Sequence, residues 1–234
     1  MIYTVTFNPA LDYVMNLKQL QYKDINRTES EQLYYGGKGI NVSVILSRLK
    51  VDNIALGFLA GFSGKKIEEM LNAENIKNDF VYLKKGYTRI NVKIKADEDY
   101  DINAQGPDIE LDELNTLFDK FEKLKSGDFL VLAGSIPNSL PDDIYEEILA
   151  KLQNKGINFA VDATGDLLLN VLKYKPFLIK PNHHELGDVF GVEVKTEKEI
   201  AYYAKKLQEM GAVNVLVSMA KDGAILVAED GSIY

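Results

Sequence analysis

Short apolar runs alternate with amphipathic stretches along most of the chain. Ile2–Phe7, Ile54–Leu59, Phe129–Ala133, Asn158–Asp162, Phe177–Ile179 and Asn214–Ser218 are rich in β-branched and other apolar residues, the pattern of strands covered on both faces. Between them, apolar positions recur at helical spacing over Ile40–Leu49, Gly64–Ala73, Leu111–Leu124, Pro141–Asn154, Ala163–Leu172, His183–Phe190 and Thr196–Met210. This alternation predicts an α/β fold with a largely parallel sheet and helices on both of its faces. In such folds ligands gather at the carboxyl ends of the strands.

Two segments depart from the alternation. Tyr13–Leu17 with Arg27–Tyr35 reads as extended chain, and in Thr88–Lys95 the apolar residues Ile90, Val92 and Ile94 alternate with polar ones. Such alternation marks a strand with one apolar and one wet face. These pieces, about residues 13–35 and 88–102, predict a small antiparallel sheet projecting from the core, as a lid or a dimer surface. At the end of the chain Gly223–Val227 reads as a strand, Glu229-Asp230-Gly231 as a hairpin turn and Ser232–Tyr234 as the start of a return strand. The expectation is one domain over residues 1–234 that is incomplete at its carboxyl end.

Composition narrows the function classes. A chain of 234 residues, 46% hydrophobic and 26% charged, can bury one sizeable core. Its 35 acidic against 27 basic side chains, a net charge of -8, disfavour a nucleic-acid or anionic-membrane partner. There is no cysteine, hence no disulfide framework and no thiolate chemistry. The two histidines, His183 and His184, are adjacent, which is not zinc-ligand spacing. Met1–Phe7 is too short, and lacks the basic start, for a signal peptide. No apolar stretch has the length of a bilayer span, so the expected location is the cytoplasm.

Candidate chemistry concentrates after the expected strands. Gly36-Gly37-Lys38-Gly39-Ile40-Asn41 precedes a helix, so glycines allow close backbone approach while the helix end, the Lys38 charge and the Asn41 amide suit a phosphorylated polyol. A capped tight turn is the plainer reading of the glycines alone. Asp12, in Asn8-Pro9-Ala10-Leu11-Asp12, is expected at the carboxyl end of the first strand, where its carboxylate could accept two hydroxyls or simply close a turn. Arg27 and Arg89 fall in the projecting segments, where an arginine fork suits phosphate but also merely solubilises a strand. Ser135 lies in the loop Ala133–Pro137, which could present a hydroxyl and backbone N–H groups or be an ordinary connection.

In Lys180–Glu185, Asn182 and Glu185 have capping-box spacing, and Glu185 could equally stand near a hydrated magnesium ion. Ser218 ends a strand and Gly223 closes the next turn, so both could touch a nucleotide or only connect strands. Two nucleotide motifs fail. Leu59–Lys66 lacks the first glycine of a phosphate-binding loop and has Lys66 where serine or threonine would hold magnesium, and Val42 replaces the third glycine of a dinucleotide fingerprint.

Taken together, Asn8–Asp12, Gly36–Asn41, Ala133–Pro137 and Lys180–Glu185 resemble, in order and approximate spacing, the ribokinase-like (PfkB) carbohydrate kinases of the sugar-phosphate branch. The resemblance implies a three-layer αβα core with a β-sheet lid, often a homodimer joined through the lids. It implies transfer of the ATP γ-phosphoryl group, with Mg²⁺, to fructose 1-phosphate to give fructose 1,6-bisphosphate, with tagatose 6-phosphate as the next substrate. Carried over, Asp12, Gly37, Gly39 and Asn41 would hold sugar hydroxyls, and Lys38, Arg27, Arg89 and Ser135 would gather around the substrate phosphate or close the lid. Lys180, Asn182 and Glu185 would face ATP phosphates and hydrated Mg²⁺, with Ser218 and Gly223 against the nucleotide and Asp162 assisting the metal through water. Glycine is common in the family where Ala220 stands. The family's Gly-Ala-Gly-Asp segment, which supplies the anion hole and the catalytic base, is absent up to Tyr234, and Asp166 precedes Asn182 and Glu185, the wrong order for that base. A different class of reading is a non-catalytic sugar-phosphate-binding or dimerising fragment.

Overall fold

The computed structural model describes residues 1–234. In chain order the elements are β1 (Ile2–Thr6), β2 (Ala10–Asn16), β3 (Ser30–Gly36), α1 (Lys38–Arg48), β4 (Asn53–Ala60), α2 (Gly61–Ala73), β5 (Val81–Leu83), β6 (Arg89–Lys95), β7 (Asp99–Ile102) and α3 (Leu111–Phe121). They continue with β8 (Phe129–Ala133), α4 (Ile144–Leu152), β9 (Asn158–Asp162), α5 (Gly165–Val171), β10 (Leu178–Ile179), α6 (His183–Phe190), α7 (Glu197–Glu209), β11 (Asn214–Ser218) and β12 (Ala224–Val227). The chain divides into two compact units, an amino-terminal one of Thr4–Glu122 with Ser135–Leu140, and a carboxyl-terminal one of Met1–Tyr3, Lys123–Gly134 and Pro141–Tyr234.

In the carboxyl-terminal unit the strand order is β12-β11-β10-β9-β8. β8, β9, β10 and β11 are mutually parallel, and only β12 runs antiparallel, joined to β11 by a tight connection. Parallel strands need helical crossovers, which the amphipathic segments supply. In α7, Ile200, Ala204 and Leu207 form the buried stripe that packs on β11 and β12, and its start is fixed by a capping box between Thr196 and Glu199. The return strand expected after the final turn is begun: Leu226 and Tyr234 exchange backbone hydrogen bonds at 2.9 and 3.0 Å.

The amino-terminal unit is built on Leu11, Ile40, Val44, Ala55, Leu59, Ile67, Leu71, Ile76 and Phe80, with Tyr35, Met70 and Ile90 packed against them. Beside this core stands a separate four-stranded sheet of order β3-β2-β6-β7. It is mixed, not antiparallel as the alternation predicted: β2 pairs with β3 and β6 with β7 antiparallel, but β2 and β6 run parallel. The long crossover through α1, β4, α2 and β5 between β2 and β6 permits that parallel pairing. The register places Leu11, Tyr13 and Met15 opposite Ile90, Val92 and Ile94 on one face, and Asp12 opposite Asn91 on the other. Only the root of the apolar face, at Leu11 and Ile90, packs on the core.

Other boundaries moved by one to four residues. Lys38 is already helical, α2 begins at Gly61, α4 at Ile144 and α5 at Gly165, and the short β5 had no sequence signal of its own.

Candidate active site

The residues expected to face the sugar phosphate lie in the amino-terminal unit, and those expected to face the nucleotide lie in the carboxyl-terminal unit.

On the sugar side, Asp12 is not in a turn after the first strand. Asn8-Pro9 turns the chain sharply, so β2 starts at Ala10 and Asp12 is its third residue, opposite Tyr34 on β3 and Asn91 on β6. Its Oδ1 accepts from Asn91 Nδ2 at 2.8 Å. Its Oδ2 lies 3.2 Å from where a β-carbon on Gly36 would stand. Asp12 is thereby joined to the start of the glycine run.

Gly37 has φ 133°, and a β-carbon there would stand 2.6 Å from the Thr6 methyl. At Gly39 it would stand 2.5 Å from the Val5 carbonyl oxygen, closer than any side chain tolerates. The glycines therefore let α1 begin directly against β1. One helix-end N–H expected for an anion is used internally, because Ile40 N–H donates to Thr6 Oγ1 at 2.9 Å. Lys38, the first helical residue, and Asn41, one turn on, are both exposed.

Arg89 is held in place. Its Nε donates to the Asn8 carbonyl at 3.1 Å and its Nη1 to the Ala104 carbonyl at 3.3 Å. Partial burial lowers its pKa and the Asp12 carboxylate opposes that shift. Arg27 is different: it lies in the exposed loop before β3, not in the strand, and makes no hydrogen bond or ion pair. β3 begins only at Ser30 because its partner strand β2 ends opposite it, at Asn16. Ser135 is exposed in the loop after β8, and its side chain has no partner.

On the nucleotide side, Asp162 ends β9, Lys180 follows β10 and Ser218 ends β11. These strands are neighbours and parallel, so their carboxyl ends form one edge. Lys180 Nζ lies 3.4 Å from Asp162 Oδ2, with the carboxylate side chain 15% exposed. Asn182 makes a parallel bridge to Ser218, and Ser218 N–H donates to the Pro181 carbonyl at 3.1 Å. The capping-box reading of this segment holds in full: Glu185 N–H donates to Asn182 Oδ1 at 2.9 Å and Asn182 N–H to Glu185 Oε2 at 2.7 Å. One Glu185 oxygen is thus committed to the helix end. No cluster of three or more His, Cys, Asp or Glu side chains forms a ready metal cage, yet the carboxylates here offer the hard oxygens that a water-coordinated Mg²⁺ accepts. Burial, reinforced by the Asp162 charge, raises the pKa of Tyr145, whose hydroxyl donates to the Gly134 carbonyl at 3.0 Å. Gly223, at φ 94°, and Ala220, at φ 51°, shape the turn after Ser218.

Two residues beside the sugar-side set had no sequence signal as site residues. Asn91 and Thr6 act through hydrogen bonds to Asp12 and Ile40, which lie 79 and 34 positions away. The strand register that creates those pairs is invisible in the sequence.

A mixed α/β fold with a mostly parallel sheet, a small separate sheet, a glycine-opened helix and an Asn–Glu capped helix after β10 is the arrangement that the resemblance to sugar kinases implied. The sequence profile of the pfkB family carbohydrate kinases matches residues 5–234, and the chain belongs to that family. It is 45% identical to the 1-phosphofructokinase of Bacillus subtilis over 230 residues, covering 98% of this chain and 76% of that one. It is 38% identical to the D-tagatose-1-phosphate kinase of Bacillus licheniformis over 226 residues, covering 96% and 74%. Among solved structures, phosphofructokinase-2 of Escherichia coli in complex with fructose-6-phosphate superposes with a TM-score of 0.92 at 27% identity, covering 100% of this chain and 78% of that one. The fold is the ribokinase-like one that the resemblance implied, and the protein is a sugar-phosphate kinase.

Proposed function

We propose that this kinase transfers the γ-phosphoryl group of ATP to fructose 1-phosphate, giving fructose 1,6-bisphosphate. The observation that carries the reading is the 45% identity, over nearly the whole chain, to a 1-phosphofructokinase. Asp12, with Gly37, Gly39 and Asn41, holds the sugar hydroxyls. Lys38, Arg89 and, from its loop, Arg27 supply positive charge to the substrate phosphate, and Ser135 adds a hydroxyl. Lys180, Asn182 and Glu185 face the ATP phosphates, with Ser218 and Gly223 against the nucleotide. Glu185 and Asp162 would hold Mg²⁺ through water, and the ion would neutralise charge on the phosphates.

Because phosphoryl transfer rests mainly on positioning and charge, these residues act by placing the two substrates and by offsetting charge on the phosphates directly or through the metal. No residue of the chain is assigned as proton acceptor; Asp166 is exposed in the first turn of α5, paired with none of the nucleotide-side residues. Residues 1–234 belong to one kinase domain, with about 13–35 and 88–102 as its lid, and they span about three quarters of the length of the curated relatives they match. The half-exposed apolar face of that lid supports a homodimer, although a phosphofructokinase-2 of E. coli has been solved as a tetrameric inhibited form.

A second reading is supported by the tagatose-kinase relatives. The sequence resemblance pointed to tagatose 6-phosphate, whereas those relatives are named for the 1-phosphate. Steady-state ATP consumption with fructose 1-phosphate, fructose 6-phosphate, tagatose 1-phosphate and tagatose 6-phosphate tests both readings. Preference for fructose 1-phosphate supports the first, preference for tagatose 1-phosphate the second, and consumption with none refutes both.

A further inference from the structure

We infer that Asn91 is a positioning residue that fixes which oxygen of Asp12 is turned to the sugar. The inference rests on the sugar-side reading above. Asn91 is 6% exposed and is the register partner of Asp12 across the β2–β6 pair, so both side chains leave the sheet on one face. The orientation of its amide is dictated by chemistry. The Ala104 backbone N–H can only donate, so the amide atom 3.2 Å from it is the oxygen. The NH₂ group must then face Asp12, whose Oδ1 accepts at 2.8 Å. Oδ2 is left without that bond, and of the two oxygens it is the nearer to the Gly36 position, 3.2 against 3.5 Å from where a β-carbon would stand, so the missing side chain keeps space open beside it.

The segment that sets this orientation is itself tied down. Ala104 also accepts from Arg89 Nη1 at 3.3 Å, and the Gln105 carbonyl accepts from Asn8 Nδ2 at 2.8 Å. Asn8 in turn offers its own carbonyl to Arg89 Nε. A single strap, Ala104–Gly106, therefore orients the amide that holds Asp12 and the guanidinium nearest to it. The strap carries no charged residue, and the register partner of Asp12 on β3 is Tyr34. The charged groups on the face of this pair are Arg89, which feels the Asp12 carboxylate, and Lys93, two residues along β6 and paired with Asp101 of β7 at 3.3 Å.

Asn91→Asp separates positioning from packing. It keeps the side-chain size and an acceptor for Ala104, but replaces the donor to Asp12 with a second carboxylate. At pH 8 the KM for fructose 1-phosphate should rise about tenfold to a hundredfold, the usual range for losing a charge-assisted hydrogen bond, while the KM for ATP stays within about twofold. Two carboxyl groups in contact share a proton as the pH falls, and the shared proton restores a donor. The ratio of variant to wild-type KM should therefore shrink toward about pH 5.5. Asn91→Leu removes both arms and should show the sugar defect without recovery in acid. Should N91D fail to fold, Asn91→Ser provides the KM split between sugar and ATP. An unchanged sugar-phosphate KM, an equal loss for sugar and ATP, or a defect independent of pH in N91D overturns the inference. If wild type uses fructose 1-phosphate and N91D matches it, only the role of Asn91 falls. If wild type uses no phosphosugar, the functional reading falls and takes the inference with it.

Discussion

Lys38 occupies the first position of α1, between two glycines that let the helix start against β1. A cation at that point adds full charge to a helix end that has already given one N–H to Thr6. Lys38→Ala should therefore raise the KM for the sugar phosphate about tenfold, in line with loss of one charge-assisted contact, and leave the KM for ATP nearly unchanged. Steady-state kinetics with each substrate varied in turn checks this, and an unchanged sugar-phosphate KM would remove Lys38 from the phosphate site. At this scale the sequence was readable wherever chemistry is local. Glycine next to lysine at a helix start, and asparagine three residues before glutamate, carry their geometry with them. Asp12 was also visible as a candidate, but not the strand that holds it or the amide that orients it. Those depend on which residue of β6 lies opposite it, a long-range fact. Arg27 illustrates the converse: its charge was legible, its place in an unpaired loop was not.

Among the elements, the long amphipathic helices and the buried parallel strands were legible because periodicity persists over many residues. The three-residue β5 is too short for such a signal, and the parallel β2–β6 pairing is decided by the crossover between them. The turn after β11 offers a test. Ala220 sits at φ 51°, in the left-handed region where a β-carbon is strained. That conformation costs an L-residue about 1–2 kcal/mol, against roughly 0.5–1 kcal/mol of extra chain entropy lost by glycine. Ala220→Gly should thus stabilise the protein by on the order of 0.5–1 kcal/mol and raise Tm by about 1–3 °C. Thermal unfolding checks it; a lowered Tm would mean that the turn does not sit in that conformation.

At the scale of the whole molecule, the separate sheet matters most. Its polar face carries Asp12 and Asn91, and its other face carries Tyr13, Met15, Val92 and Ile94, which only partly bury themselves. Apolar residues left half-buried side by side in this way suit an interaction surface. Val92→Asp should dissociate a dimer without unfolding the core, read by light scattering alongside circular dichroism. A wild-type protein that scatters as a monomer would remove this argument.

The central claim is that the residues gathered around Asp12 select a sugar 1-phosphate for phosphorylation by ATP. It is tested most directly by kcat/KM of the full-length protein for fructose 1-phosphate, fructose 6-phosphate, tagatose 1-phosphate and tagatose 6-phosphate under one set of conditions. The account predicts that fructose 1-phosphate gives the highest value, at least about tenfold above either 6-phosphate, a margin of roughly 1.4 kcal/mol in transition-state binding. A higher value for either 6-phosphate, or no ATP consumption with any of the four, would contradict it.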